Sequence, residues 1–375
     1  MSGLEGTRVL DFTRVLAGPL CTMILGDLGA DVVKVERPGS GDETRGWGPP
    51  FVGEDAAYFL ALNRNKRSVA LDLGEPQGLE AARRLARGAD VVVDNFRSGL
   101  MAGWGLDHEA LSQSIPRVVT CSIIAFDPAS GVERPGYDLA MQALAGLMSV
   151  TGPPGGPPVK TGVALLDVLA GMYAVTGILA ALHERERTGH GRHVEVSLFD
   201  AAVAGMVNQA ANHLLGGEIP GPLGTAHPNI VPYQMFETAD RPLVLAVGTD
   251  RMFERTCELL GRPELGRDER FRTNEGRVRH RDELIPELEA VFRRGPRDEW
   301  LRRLAEAGVP SAPVRTMDDV FASPEGRVAV EEMADPVRGP LRLVRSPIRM
   351  GEDGGRGRPP PRLGEHTDEV LRELR

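Results

Sequence analysis

The chain has 375 residues, 41% hydrophobic and 26% charged, with 45 Gly and 29 Pro spread along its length, which predicts a globular protein with a packed core rather than general disorder. Its formal net charge of −9 argues against nucleic-acid binding, which needs a basic surplus to neutralise phosphates, yet leaves room for a few arginines around a small phosphorylated ligand. Three widely spaced cysteines, Cys21, Cys121 and Cys257, form no CxxC pair, so buried thiols in a reducing compartment are expected, not a disulfide framework or a zinc site.

The start, Met1 to Gly6, lacks a basic segment followed by an apolar run, so no signal peptide is read and a cytoplasmic location is expected. Short β-branched runs then alternate with amphipathic segments, the pattern of an α/β fold with a parallel sheet. Thr7 to Phe12 predicts a first strand, Gly18 to Leu28 a helix entered through Ala17-Gly18-Pro19, and Asp31 to Glu36 a second strand. A third strand is read at Ser68 to Leu73, a helix at Pro76 to Arg87, and further strands at Asp90 to Asn95 and Val118 to Ile124. This is a Rossmann-like unit without the GxGxxG fingerprint after its first strand, which counts against NAD and a nicotinamide dehydrogenase.

A long helix is predicted from Leu166 to Arg187, closed by Thr188-Gly189-His190-Gly191. It contains the longest apolar segment, Val163 to Leu182, whose polar and glycine interruptions favour a buried helix over a membrane span. A strand at His193 to Leu198 and one helix from Phe199 to Leu215 follow. Residues 216–232 hold four Pro and four Gly with little periodicity, and are read as a linker or binding loop. From 233 to 330 a smaller α+β domain is expected, with one strand at Leu243 to Val247 and charged helices near Asp250 to Leu260, Arg281 to Arg294 and Arg297 to Ala307. The large domain would span 1–215, with 331–375 returning to it through a strand pair, Leu341 to Val344 with Ile348 to Met350, and a short terminal helix. Gly351 to Pro361 is read as a solvated Gly/Pro-rich loop.

Three places could carry chemistry. Asp167 lies among apolar neighbours, where a carboxylate must be paired, hydrogen-bonded or functional. It could cap the following helix, and an ionised, poorly hydrated carboxylate is also a nucleophile toward an activated acyl group. Lys34 to Arg45 follows the second strand, where α/β sheets place ligands, and its Arg37 and Arg45 offer forked donors for phosphate. Asn63-Arg64-Asn65-Lys66-Arg67-Ser68 is a basic cluster, which by itself reads as a solvated face.

In order, these segments resemble the class III CoA-transferases, a family that includes formyl-CoA and carnitine-type transferases and also 2-methylacyl-CoA racemases. The resemblance rests on Asp11 to Pro19, Leu28 to Pro38, Asn63 to Ser68, Asp94-Asn95-Phe96-Arg97, Gly136-Tyr137-Asp138, Arg187 to Gly191 and His227 to Tyr233, and runs from Leu4 to about Val370. It implies an interlocked homodimer of Rossmann-like large domains and small domains. It also implies Asp167 as nucleophile, with a coenzyme A site formed by Arg14, Leu16, Ala17, Arg37, Asn65, Lys66, Arg67 and Arg97. Tyr137 and His227 stand where the family lines its substrate pocket. Neither a metal nor a redox cofactor has a role in such chemistry, and no membrane partner is implied.

Two departures bear on substrate. Formyl-CoA transferases carry Gln where this chain has Leu16, and a glycine run where it has Gly221 to His227, so formyl-CoA and oxalate are a poor match. Many members carry a basic residue near Gly103, a role that Arg97 could fill. The mechanism implied is attack of Asp167 on a thioester, with nearby backbone N–H groups stabilising the tetrahedral oxyanions. Racemases of this fold look like Gly-His-Asp where this chain has Gly136-Tyr137-Asp138, and Tyr, with a reference pKa of about 10, is a poor base at neutral pH. Transfer is therefore preferred over racemisation, and over non-catalytic CoA binding. Family habit points to short dicarboxylic donors such as succinyl-CoA.

Overall fold

The computed structural model describes residues 3–350 and 357–374. They form two compact units, one of Met1–Leu147, Lys160–Glu218 and Val328–Arg375, the other of Met148–Val159 and Ile219–Arg327.

The first unit is built on a six-stranded parallel sheet: β1 Arg8–Asp11, β2 Asp31–Glu36, β3 Lys66–Ala70, β4 Val91–Asp94, β5 Val119–Ile124 and β6 His193–Ser197, in the order β3-β2-β1-β4-β5-β6. Because side chains alternate across a strand, neighbouring apolar residues feed opposite faces, and both faces are covered. Val9, Val32, Val91, Val93 and Cys121 pack under α1 (Ala17–Asp27) and the long helix Leu165–Thr188. Leu10, Val33, Val69 and Val92 pack with α2 (Pro76–Arg87) and Val370. The chain leaves β1 and β4 in opposite directions across the sheet, so a crevice opens beyond their carboxyl ends.

We number α3 as Asp138–Leu144, α4 as Leu165–Thr188, α5 as Leu198–Gly205 and α6 as Val207–Gly216. The single helix expected from Phe199 to Leu215 is two, broken at Met206–Val207, where Val207 has φ 37°. By length and composition α4 could cross a membrane, but half of its apolar window is buried, much of it against α1 and the sheet.

The returning tail differs from expectation. Val330–Asp335 pairs with Gly339–Val344 in an antiparallel hairpin, and Ile348 to Met350 forms no strand. Met333 and Leu341 supply the buried side of this pair, whereas Ile348 and Met350 are exposed. Residues 351–356 of the Gly/Pro-rich stretch lie outside the described residues, and 357–361 have no regular structure.

The second unit carries a three-stranded antiparallel sheet of Tyr233–Phe236, Leu243–Ala246 and Ser311–Pro313, where the sequence pattern suggested one strand. Phe236, Phe253, Phe292, Trp300 and Leu284 fill its core. Residues 216–232 contain no helix or strand beyond the last residue of α6. Met148–Val159 belongs to this unit by its contacts, for example through Gly224 N–H to Gly152 O, although the sequence pattern placed it in the large domain.

Candidate active site

The turn after β1 and the loop after β4 face each other across a cleft of about 1200 Å³. Arg14, Val15, Leu16 and Ala17 line one side, and Asn95, Phe96, Arg97 and Gly103 another. Ile124 to Phe126 beyond β5, the segment Gly131 to Tyr137, and Asp167 complete it. This is where an open parallel sheet binds ligands, at the carboxyl ends of its strands beside the reversal in strand order.

The turn is held by buried charges beneath it. Asp11 is fully buried and accepts from Thr13 N, Thr13 Oγ1 and Thr22 Oγ1, with Lys66 Nζ at 3.1 Å. Burial alone would raise its pKa, but Lys66, Lys34 and the two hydroxyls hold it below the ordinary carboxylate value. Lys34 donates to Thr13 O at 2.6 Å and pairs with Asp42 at 3.0 Å, and Asp42 in turn accepts from Val15 N. Asn95 clamps the same turn from across the cleft, accepting from Arg14 N at 2.9 Å and donating to Arg14 O at 2.7 Å. These contacts keep Val15 at φ 70°, a left-handed conformation that a β-branched residue adopts only when its surroundings dictate it.

Asp167 sits in the first turn of α4 with 8% of its surface exposed, and its side chain lines the cleft. It is not the cap of that helix. Ala164 occupies the N-cap position without a side-chain hydrogen bond, and the capping acceptor is Asp138, whose Oδ1 takes Leu166 N at 2.8 Å and Asp167 N at 3.3 Å. A buried helix start must satisfy its free N–H groups, and a carboxylate there is also favoured by the helix dipole. Asp138 is itself fixed by Gln142, whose amide donates to its other oxygen. Since Leu165 N and Val168 N bond to Val163 O and Ala164 O, the amides of residues 165–168 are all occupied. The expectation that free N–H groups beside Asp167 would hold an oxyanion therefore fails for the helix start.

The carboxylate of Asp167 has no hydrogen-bond or ion-pair partner among the described residues of the chain. Burial, and secondarily the neighbouring charge of Asp138, push its pKa up to about 7. Tyr58 is coupled to the same place: burial first, then Asp167, Asp138 and Asp42, raise its pKa, and Trp47 packs edge-on against its ring at 5.5 Å. Sequence reasoning overlooked Tyr58, Phe126 and the capping role of Asp138. Only Asp138 carried a signal, an acidic residue opening a helix directly after Gly136-Tyr137.

Of the residues proposed from sequence, Arg14, Leu16, Ala17, Arg97, Tyr137 and Asp167 come together in the cleft. Tyr137 is 63% exposed there. Arg37 is exposed beyond β2 and does not line it. Asn65, Lys66 and Arg67 are turned elsewhere for a clear reason: long cationic or polar side chains at the start of a buried strand need partners inside the fold. Asn65 bonds Asp27 and the backbone of Arg358, Lys66 bonds Asp11, Pro19 O and Asn63, and Arg67 pairs with Asp31, Glu369 and Glu373. Arg45, the other candidate phosphate donor, is engaged by Glu36 and Asp55. His227 belongs to the second unit, where its Nδ1 accepts from Asn229 N.

The sequence matches the model of CoA-transferase family III over residues 4–367. The chain belongs to that family. Human succinyl-CoA:glutarate CoA-transferase is 41% identical over 375 residues, covering 99% of this chain and 86% of the relative. The succinyl-CoA:mesaconate CoA-transferase of Haloarcula hispanica is 40% identical, covering 100% of this chain and 96% of the relative. The crystal structure of a CaiB/BaiF family protein from Brucella suis superposes with a TM-score of 0.85 at 42% identity, covering the whole of both chains. As a class III CoA-transferase, this enzyme moves CoA between an acyl-CoA and a carboxylic acid.

Proposed function

We propose that this enzyme transfers CoA between dicarboxylic acids, with Asp167 as nucleophile and an aspartyl-CoA thioester as intermediate. The observation that carries the mechanism is the partnerless, buried carboxylate of Asp167 in a cleft at the carboxyl ends of the strands. The dicarboxylate class follows from the relatives, named for succinyl-CoA with glutarate or mesaconate.

In the first step an Asp167 oxygen attacks the thioester carbonyl, the C–S bond breaks, and a mixed anhydride and CoA thiolate result. The thiolate then attacks the aspartyl carbonyl, forming aspartyl-CoA and expelling the donor acid as its carboxylate. The acceptor carboxylate attacks this thioester, giving a second mixed anhydride and CoA thiolate. Attack of the thiolate on the acceptor carbonyl yields the new acyl-CoA and restores Asp167. No proton is consumed and the charges balance at each stage. Arg14 and Arg97, with Leu16 and Ala17, are assigned to the CoA moiety, which keeps the thiolate at hand so that each return step is effectively intramolecular. Low hydration makes the Asp167 carboxylate more basic, and therefore more nucleophilic, than a solvated one. We assign the working form as the interlocked homodimer implied by the resemblance, acting in the cytoplasm.

The test is to incubate the protein with succinyl-CoA and a panel of acids, separating the CoA esters by chromatography. Glutaryl-CoA or mesaconyl-CoA should form with wild type and not with Asp167→Asn. Inversion of a chiral 2-methylacyl-CoA without any acceptor acid would instead establish a racemase.

A further inference from the structure

Three arginines line the cleft, and they are not equivalent. Arg14 is paired with Glu43 at 2.9 Å. Its guanidinium also lies 4.8 Å over Phe96, on the loop that carries Arg97, so Arg14 and Arg97 form one pole. Arg134 belongs to a different stretch, the segment leading to Tyr137 and Asp138. Its guanidinium sits 5.3 Å over the ring of Phe126, which packs on Phe199. Among the described residues it makes no ion pair or side-chain hydrogen bond. A cation–π seat of this kind orients the planar fork without neutralising it, leaving its donors for a ligand carboxylate.

Connectivity ties this fork to the reacting centre. Three residues separate Arg134 from Asp138, so their Cα atoms are at most about 14 Å apart. The carboxylate of Asp138 in turn holds the backbone N–H of Leu166 and Asp167. Arg134 thus lines the same cleft as Asp167, just ahead of the residue that holds the Asp167 backbone and on a separate stretch from the Phe96 loop.

We propose that Arg134 reads the distal carboxylate of a dicarboxylic acyl group while its other end reacts at Asp167. The proposal rests on the dicarboxylate reading above and adds the residue that enforces it. An acid without the second carboxylate leaves the Arg134 donors unanswered, whereas a diacid of suitable length pairs with them in a forked hydrogen bond.

The experiment compares glutarate with valerate, acids of equal carbon count, using one acyl-CoA donor. In a ping-pong cycle kcat/KM for the acceptor reports only the second half-reaction, so the glutarate-to-valerate ratio isolates recognition of the distal group. Arg134→Gln should lower that ratio about 30- to 100-fold, and Arg134→Lys should restore part of it. Arg97→Gln should raise KM for the acyl-CoA and leave the ratio alone. A ratio unchanged in Arg134→Gln, or a loss shared equally by both acids, overturns the assignment, as does a raised acyl-CoA KM with the ratio intact, which would mark a phosphate ligand. Wild type that transfers CoA to valerate as readily as to glutarate would sink the dicarboxylate reading, and this inference with it. Dichroism and CoA affinity of the variants separate misfolding from lost recognition.

Discussion

Replacing Asp167 with Asn should stabilise the protein, and increasingly so as the pH rises. The pKa of the carboxylate is raised from its ordinary 3.8 to about 7 because its ionised form is buried and faces Asp138. In the unfolded chain it ionises near 3.8, so folding incurs no penalty for it below that value and the full penalty above about 7. A rise of that size corresponds to about 4 kcal/mol. The penalty comes to about 0.5 kcal/mol at pH 4, about 3 kcal/mol at pH 6 and about 4 kcal/mol at pH 8.5, all absent from the variant. Asn also alters local contacts, but that adds an offset that does not vary with pH. Urea unfolding of both proteins at these three pH values measures the gap directly. A difference that is flat with pH, or one that favours wild type more at pH 8.5 than at pH 4, would refute the idea that Asp167 is held against its preference for water.

With wild type, kcat/KM for acyl-CoA should fall tenfold per pH unit below about 7, because only the ionised nucleophile reacts; Asp138→Asn, which keeps an acceptor for Leu166 N but removes the charge, should move that limb to lower pH. Asp138→Ala removes the acceptor as well and should cost about 1 kcal/mol of stability in denaturant titration. Asn95→Ala frees the Arg14 backbone at both its N–H and C=O, so KM for acyl-CoA should rise about tenfold in steady-state assays, in keeping with the loss of about two hydrogen bonds. Gly171→Ala would set a Cβ 2.7 Å from Ala17 O, forcing α1 and α4 apart, and thermal melts should show a loss of about 1–3 kcal/mol.

What could be read from the chain was what is local. The β-branched runs Val32-Val33 and Val91-Val92-Val93 announced strands of a parallel sheet, and the turn after the first strand and Asn95 to Arg97, singled out only by the resemblance, do line the cleft. Asp167 stood out because a carboxylate among apolar neighbours needs a reason. What failed was distant pairing. Asn65 to Arg67 read as a solvated basic face, with a CoA role implied only by the resemblance, yet Glu369 and Glu373, about three hundred residues on, neutralise Arg67, and Asp11 takes Lys66. The cap of α4 was misread for the same reason, its acceptor lying 28 residues upstream. Ser311–Pro313 and Tyr233–Phe236 lack the alternation that identifies strands and become so only by pairing with Leu243–Ala246. Arg134 was passed over because a single exposed arginine has no local signature; its seat on Phe126 exists only in the folded chain.

An aspartyl-CoA thioester on Asp167 is a covalent adduct and can be weighed. Protein mixed with succinyl-CoA in the absence of any acceptor acid, quenched in acid and digested, should yield a peptide containing Asp167 that is heavier by CoA less one water, and hydroxylamine should strip the label. Asp167→Asn should give neither label nor turnover. Transfer that proceeds in wild type with no adduct at this side chain, or that survives in the Asn variant, would contradict nucleophilic catalysis by Asp167.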